Sequence, residues 1–442
     1  MTKREPISQV IDLLDPAGNV IHGLSVEAAR AIVARGDIDG IGKIDGQFAL
    51  VGRQGKEVRM ARTIGRLMRY FVAKLAEGPA LVISDRIDGI YEWLKSAELA
   101  DQFHPSYTRM VPAHHMVQIS LVGCPDPTPT YERFFAPECG TLPVDLDLIG
   151  ARYIGAVYDV IAKWLRVVPK GEPIGVCFSG GVDSGAVFVL TYHAMLTLGL
   201  NPARLKAFTL SVDGQGDDVE QARAFVRALD LEVFLETVDV PPDEIDVEET
   251  IRVMEDYKPL DVQAGAMALA LFRGVRRRYP AWRYLIDGEG GDENLKDYPI
   301  EENPELTIRS VLNNRMLYQE GWGVESIKHS LTYSGGQSRG YARTYAPATT
   351  TGFAAFSPFV APSVIAIAES IPFVALTQWD HQRLYRLKGE IVSRGVRAVT
   401  GMNMPIFEKR RFQHGVMAER AFKDRFSSDG NDYRRRFHAI YE

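Results

Sequence analysis

The chain has 442 residues, 46% of them hydrophobic and 24% charged, which is enough to bury the cores of two or three domains. Its formal net charge of −6 argues against nucleic acid as a partner, because nucleic-acid binders usually carry a basic balance. The three cysteines form no CxxC pair, the amino terminus is polar, and no apolar run reaches ~18 residues. These features predict a cytoplasmic protein with reduced thiols, no secretory leader and no membrane contact.

Residues 1–137 are predicted to form a small α+β domain. Short apolar runs at Phe48–Val51 and Ala80–Ser84 favour strands, and aspartate–glycine pairs mark turns between them. A proline-rich stretch at 124–145 lacks a helical period and predicts a linker. The second domain is therefore expected at 138–442.

The second domain alternates between strand and helix patterns. Strands are predicted at Ile174–Phe178, Leu205–Val212, Glu232–Val238 and Tyr284–Ile286, and helices at Ser184–Leu196, Asp218–Leu229 and Ala264–Arg277. This rhythm predicts an α/β fold with a parallel sheet and helices on both faces, whose ligands bind at the carboxyl ends of the strands. After residue 300 the pattern becomes mainly helical.

A glycine-rich turn follows the first of these strands and opens a helix. It reads Ser179-Gly180-Gly181-Val182-Asp183-Ser184. Two glycines let the backbone approach phosphate oxygens, and the amides and dipole of the helix start attract an anion. A carboxylate at Asp183 would repel that anion unless a cation lies between them, which predicts Mg²⁺.

A second acidic motif, Gly288-Glu289-Gly290-Gly291-Asp292-Glu293, follows the strand at Tyr284–Ile286. Asp292 could join Asp183 around the magnesium ion, and Glu289 could act as a general base on an attacking amine. The alternative is a plain turn whose acids are solvated at a helix start.

Together these motifs resemble the asparagine synthetase and β-lactam synthetase family of the ATP pyrophosphatase superfamily. The first motif is similar to the superfamily's SGGxDS pyrophosphate loop, and the second to the SGEGSDE segment of asparagine synthetases. Further similar segments are Lys206–Val212 with Asp218–Ala222 near the adenosine, the Pro358-Phe359 step, and the lysine pair Lys388 and Lys409, the latter in a KxxFxxGV-like context ending at Val416.

The resemblance implies an adenine nucleotide α-hydrolase-like synthetase domain with a helical carboxyl-terminal part. ATP would be bound by one set of residues, Mg²⁺ by a second, and catalysis would fall to a third. The nucleotide set is Ser179, Gly180, Gly181, Asp183, Ser184, Val212, Gly288 and Lys388; the metal set is Asp183 and Asp292; the catalytic set is Glu289 and Lys409.

The first segment resembles the family's glutamine amidotransferase domain, which has an Ntn-hydrolase-like α+β fold. Asp45–Ala49 is similar to its dGxFA step, and Ala61-Arg62 with Gly65 to its ARDxxG step. That domain needs a cysteine nucleophile after the initiator methionine, where this chain has Thr2 and Lys3. A degenerate domain without glutaminase activity is therefore expected.

Two more departures concern the second domain. Asp287 stands where the family has a serine before its GEG step, and the family's GxExRxPF segment has Ala354 and Phe356 at its glutamate and arginine positions. The substrate pocket is thus expected to differ from that for aspartate and to be more apolar.

The resulting prediction is an ATP-dependent ligase that adenylates a small-molecule carboxylate, releases pyrophosphate and transfers the acyl group to ammonia or an amine. One alternative is an intramolecular synthetase that closes a β-lactam or macrolactam. Others are a non-catalytic nucleotide-binding scaffold and a sulfur-transferring or tRNA-modifying member of the superfamily. A homodimer is compatible with the sequence, which does not fix the oligomeric state.

Overall fold

The computed structural model describes residues 9–76, 78–120, 128–214, 217–298, 300–302, 307–313, 339–407, 416–417, 419–427 and 429–441. They divide into two compact units. The first contains the described residues up to 136 and those from 438 onward, and the second contains 137–313 and 339–437. Within the described ranges, no helix is long and apolar enough to cross a membrane.

In its described residues, the first unit contains short strands and three α-helices. The strands are β1 Gln9–Asp12, β2 Val20–Ile21, β3 Gly46–Gln47, β4 Ala49–Gln54, β5 Glu57–Arg62, β6 Arg69–Ala73, β7 Ala80–Ser84, β8 Arg109–Met110, β9 His115–Ser120 and β10 Thr130–Arg133; the helices are α1 Val26–Arg35, α2 Ile38–Gly42 and α3 Ile87–Ser96. Two four-stranded sheets form, in the orders β1-β7-β6-β8 and β10-β9-β5-β4, beside the pair β2-β3.

This unit has four layers, with two sheets between two helices. Successive side chains of a strand point to opposite faces of its sheet, so each sheet packs on both of its faces. Val58 and Met60 of β5 share one core with Leu81 and Ile83 of β7, so the two sheets pack face to face. Ala61 of β5 joins the core under α1, and Val82 of β7 joins the core under α3. A helix therefore covers the outer face of each sheet.

The predicted linker is wrong at Thr130–Arg133, which forms β10 and pairs antiparallel with β9. Threonine and tyrosine favour strands, and the surrounding prolines hid that signal. Ala80–Ser84 is confirmed as β7, whereas the strand predicted at Phe48–Val51 begins one residue later and runs to Gln54.

The second unit holds a parallel sheet among many helices. Its strands are β11 Ile174–Cys177, β12 Leu205–Val212, β13 Leu235–Val240, β14 Tyr284–Ile286 and β15 Ala354–Phe356. Its helices are α4 Leu146–Val167, α5 Val182–Thr197, α6 Asp218–Arg227, α7 Val247–Met254, α8 Pro259–Arg278, α9 Gly291–Asn294, α10 Ile308–Asn313, α11 Arg339–Thr350, α12 Pro362–Glu369, α13 Phe373–Thr377, α14 His381–Thr400, α15 Glu419–Arg425 and α16 Gly430–Ala439.

The strand order is β13-β12-β11-β14-β15, and every neighbouring pair is parallel. The predicted parallel sheet is thus confirmed. The chain moves outward from β11 to β13 and then returns to the other side of β11 as β14. The sheet therefore has its topological switch point between β11 and β14, where ligands of such folds bind.

Two groups of helices pack on this sheet. α5 contacts α4 and α14, and Gly185 of α5 lies against the ring of Phe225 in α6. α8 contacts α7 and α11, and its Gly274 lies against Val238 of β13. The long helices bury most of their apolar residues in these contacts, which fixes the strand ends that carry the glycine-rich loops.

Candidate active site

The two glycine-rich motifs lie side by side at the switch point. β11 and β14 are hydrogen-bonded neighbours, with Val176 opposite Ile286. The loop after each strand leaves at the same edge of the sheet, because the strands are parallel. The first loop leads into α5 and the second into α9, so both motifs lie at the same edge of the sheet.

The first loop has the geometry of an anion cradle. Gly180 has φ +73°, and a Cβ at this position would lie 2.9 Å from the Cα of Ala222, so a larger residue would be strained and crowded. The hydroxyl oxygens of Ser179 and Ser184 are 3.2 Å apart, and the Gly181 amide donates to Ser179 Oγ at 3.3 Å. The two serines thus stabilise the conformation of the turn, which leaves the amino-terminal end of α5 directed toward where an anion would bind.

The second loop packs directly on the first. A Cβ at Gly288 would lie 2.9 Å from the Ser184 amide nitrogen, and one at Gly291 would lie 2.3 Å from Oδ1 of Asp183. Both positions need glycine because backbone meets backbone or a carboxylate there. This close approach places Asp292 beside Asp183.

Lys388 of α14 joins the carboxylates of both loops. Its ammonium nitrogen donates to Asp183 Oδ2 at 2.5 Å and to Asp292 Oδ1, and lies 3.4 Å from Asp297 Oδ2. Burial lowers the pKa of Lys388, but the three carboxylates outweigh burial and hold this pKa well above its ordinary value. The structure therefore brings the carboxylates of Asp183 and Asp292 together around the ammonium group of Lys388.

Asp183 and Asp292 fit a hard cation, since their oxygens already converge on one positive group. In the described part of the chain, no set of three or more His, Cys, Asp or Glu side chains is arranged to hold a metal. A magnesium ion held here would therefore need other ligands, such as phosphate oxygens, to complete its coordination.

With this geometry in place, the similarity to known proteins can be stated. Residues 166–350 match the family model described as asparagine synthase. This range contains both glycine-rich loops. Residues 166–350 are an asparagine synthase domain.

Three curated relatives, one from Mycobacterium bovis and two from Mycobacterium tuberculosis strains, are 28% identical to the chain over 185 residues. They are provisionally named as glutamine-hydrolysing asparagine synthetases. The aligned stretch is 41% of this chain and 26% of each relative. The chain thus spans about a quarter of the length of the relatives that it matches.

Within the asparagine synthase domain, Glu289 occupies a strongly acidic environment. Burial raises the pKa of Glu289 well above its ordinary value; Arg343 opposes this shift, whereas Glu293, Asp287 and Asp292 add to it. A carboxyl with a raised pKa is a better proton acceptor once ionised. The environment therefore suits general-base chemistry.

Arg343 and Asp297 were not among the residues singled out from the sequence. Arg343 of α11 donates through Nε to Asp261 of α8 at 2.9 Å and supplies the positive charge opposing the acids around Glu289. Asp297 is the third carboxylate on Lys388. Asp297 is an acidic residue five positions after Asp292, so it could have been predicted from the sequence as part of the acidic cluster. Arg343 belongs to no motif and could not.

Val212, the predicted adenosine contact, ends β12, and its amide donates to the carbonyl of Val416 at 3.0 Å. Val416, the last residue of the KxxFxxGV-like context, therefore lies at the carboxyl end of β12. Lys409 itself lies outside the described residues, and its role stays a prediction.

Phe356 and Ala354, on which the expectation of a more apolar substrate pocket rests, lie in different surroundings, and the expectation stays a prediction. The Phe356 ring is buried and stacks on Trp164 of α4, with centroids 5.0 Å apart and planes at 5°. Ala354 is exposed on β15. At the arginine position of the family segment, Phe356 thus contributes to the core of the second unit.

Proposed function

We propose that the chain is an ATP-dependent amide-forming ligase without glutaminase activity of its own. It adenylates a small-molecule carboxylate, releases pyrophosphate and passes the acyl group to ammonia or an amine. The observation that carries this proposal is the convergence of the loops at 179–184 and 288–293 with Lys388 at the switch point of the sheet. The asparagine synthase match over residues 166–350, which include both loops, supports it.

In the first step, a carboxylate oxygen of the substrate attacks the α-phosphorus of ATP. The bond from this phosphorus to the bridging oxygen breaks, and pyrophosphate departs. The backbone at Gly180 and Gly181 and the start of α5 bind the leaving phosphates. Lys388 stabilises the negative charge that grows on them.

A magnesium ion, held by Asp183 and Asp292, would neutralise phosphate charge and polarise phosphoryl oxygens. In the second step, the amine nitrogen attacks the acyl carbon and the bond to the AMP oxygen breaks. The amine proton passes to the Glu289 carboxylate, and AMP leaves. Lys409 is proposed to stabilise charge on the acyl oxygen.

The product pair tests the mechanism. Mg·ATP and a panel of small carboxylic acids, with ammonium present, should give AMP and pyrophosphate for the accepted acid. Asp183→Asn removes one carboxylate from the cation site and should lower turnover by about 10²-fold, as loss of a transition-state charge partner does.

Asp230→Asn is the matched control, because Asp230 is exposed and its φ of +57° suits asparagine equally well. This control should retain wild-type turnover. Formation of ADP and phosphate as the main products would refute the adenylation mechanism.

A further inference from the structure

Asp287 is a buried carboxylate at the end of β14, two residues before Glu289. Its exposed fraction is 3%. Burying a carboxylate costs free energy unless hydrogen bonds compensate. Burial raises the pKa of Asp287 to about 6, although bonds from Ser357 and the Glu289 amide oppose the shift. Because its burial is costly, the Asp287 carboxylate is expected to have a role that a serine at this position would not fill.

One oxygen of Asp287 connects two segments of the site. Oδ1 accepts from the hydroxyl of Ser357 at 2.6 Å and from the amide of Glu289 at 3.0 Å. Ser357 is fully buried and directly precedes Pro358 and Phe359. The Asp287 amide also donates to the Phe356 carbonyl at 3.1 Å, so backbone and side chain both link the ends of β14 and β15.

The loop that carries Glu289 packs against the segment that Ser357 begins. A Cβ at Gly290 would lie 2.7 Å from Val360 Cγ1 and 3.3 Å from Phe359 Cβ. The position of Glu289 therefore depends on how the two segments meet. A shift of about 1 Å at a catalytic group can cost about 10²-fold in rate.

We infer that Asp287 is a positioning residue for the amide-forming step: its Oδ1 fixes the Glu289 loop against the Pro358-Phe359 segment. This inference rests on the proposed function, in which Glu289 accepts the amine proton. It assigns no contact between Asp287 and substrate. Asp287 acts on the second step because it holds Glu289, whereas adenylation depends on the loop at 179–184 and on Lys388.

The two half-reactions of the full-length protein test this. Carboxylate-dependent ATP–pyrophosphate exchange reports adenylation, and product formation with ammonium reports amide transfer. Asp287→Ala should leave exchange within about threefold of wild type and lower amide formation by about 10–10²-fold. Asp287→Asn keeps an Oδ1 acceptor for both bonds and should restore amide formation to within about threefold of wild type, since the Ser357 hydroxyl and the Glu289 amide keep their acceptor.

An equal fall of both half-reactions in Asp287→Ala would mean a merely structural role and overturn the inference. So would an Asp287→Asn variant as impaired in amide formation as Asp287→Ala. Should Asp287→Ala fail to fold, Ser357→Ala decides, because it deletes one bond and leaves the carboxylate. Its ratio of amide formation to exchange should fall, and an unchanged ratio would overturn the inference. Failure of the proposed function would appear differently, as no exchange by wild type with any acid.

Discussion

Lys388 is the residue on which the charge balance of the site depends. Its ammonium group is nearly buried and faces Asp183, Asp292 and Asp297. Removing one partner of a buried ion pair leaves the other charge uncompensated, which is strongly destabilising. The same three carboxylates would attract a divalent cation once the ammonium group is gone.

Lys388→Met should therefore unfold at a lower temperature than wild type in nucleotide-free buffer without magnesium. The expected loss is on the order of 3 kcal/mol. Added Mg²⁺ should raise the midpoint of the variant more than that of wild type, because binding to the folded state stabilises it. Thermal unfolding with and without MgCl₂, at ionic strength matched with NaCl, measures both effects.

Lys170→Met is the matched control, since Lys170 is exposed. Its loss should change the unfolding midpoint neither with nor without MgCl₂. An equal response of wild type and Lys388→Met to magnesium would contradict the prediction that Lys388 neutralises these carboxylates in the nucleotide-free protein.

At the scale of elements, the central strands were predicted best from the sequence. Leu205–Val212 and Tyr284–Ile286 form strands as predicted. Tyr284–Ile286 is wholly apolar, and Leu205–Val212 is buried along nearly its whole length, as strands inside a parallel sheet are. The strand predicted at Glu232–Val238 is wrong at its start: Glu232–Phe234 is a 3₁₀ turn, with Val233 80% exposed. β15 has only three residues, too few to show a period.

In the candidate active site, too, some features could be predicted from the sequence and others could not. Both glycine-rich loops were predictable because each motif directly follows a strand, and parallel strand ends meet at one edge. The contact of Lys388 with two carboxylates was not predictable, because 205 residues separate it from Asp183. The bond from Ser357 to Asp287 spans 70 residues and involves a serine without a motif of its own.

The start of α8 offers a test of electrostatics at one element. Asp256, just before this helix, accepts from the amides of Tyr257 and Lys258 at 2.6 and 2.9 Å. Burial and the neighbouring Asp261 raise the pKa of Asp256 to about 6, from 3.8. Since the folded-state pKa is the higher one, the contribution of Asp256 to stability is full below pH 3.8 and is lost as the pH rises through about 6.

Asp256→Asn keeps an acceptor for both amides and removes the charge. The variant should therefore be more stable than wild type at pH 8, by about 1–3 kcal/mol, and the difference should narrow as the pH falls to 5. Urea unfolding at pH 8, 6.5 and 5 measures this. Asp230→Asn, at an exposed position, should show no such trend, and a less stable Asp256→Asn at pH 8 would contradict the prediction.

At the scale of the whole molecule, the described site residues Asp183, Glu289, Asp292 and Lys388 all belong to the second unit. The first unit has its own cores and its own sheets. Its assignment as a degenerate amidotransferase-like domain at 1–137 stays a prediction, because Thr2 and Lys3 lie outside the described residues.

That assignment makes glutamine a poor nitrogen source. On that assignment, glutamine should give less than about a hundredth of the product formed with ammonium, because loss of a catalytic nucleophile lowers turnover by much more than about 10²-fold. Product formation and glutamate release, measured with each nitrogen source at equal concentration, test this. A cysteine-bearing amidotransferase assayed in parallel checks that the glutamate assay works. Glutamate release matched to product would contradict the prediction.

The distance along the chain between Asp183 and Lys388 also bears on synthesis at the ribosome. At about 5–20 residues per second, the 205 residues between them take about 10–40 s to translate. The strands at the switch point are complete before α14 has emerged, so the Asp183 carboxylate spends that time without its ammonium partner. The Asp292 carboxylate, 96 residues before Lys388, waits about half as long. A nascent chain paused before residue 388 would thus expose acidic side chains at the ends of these strands, where cations could bind before the lysine is added.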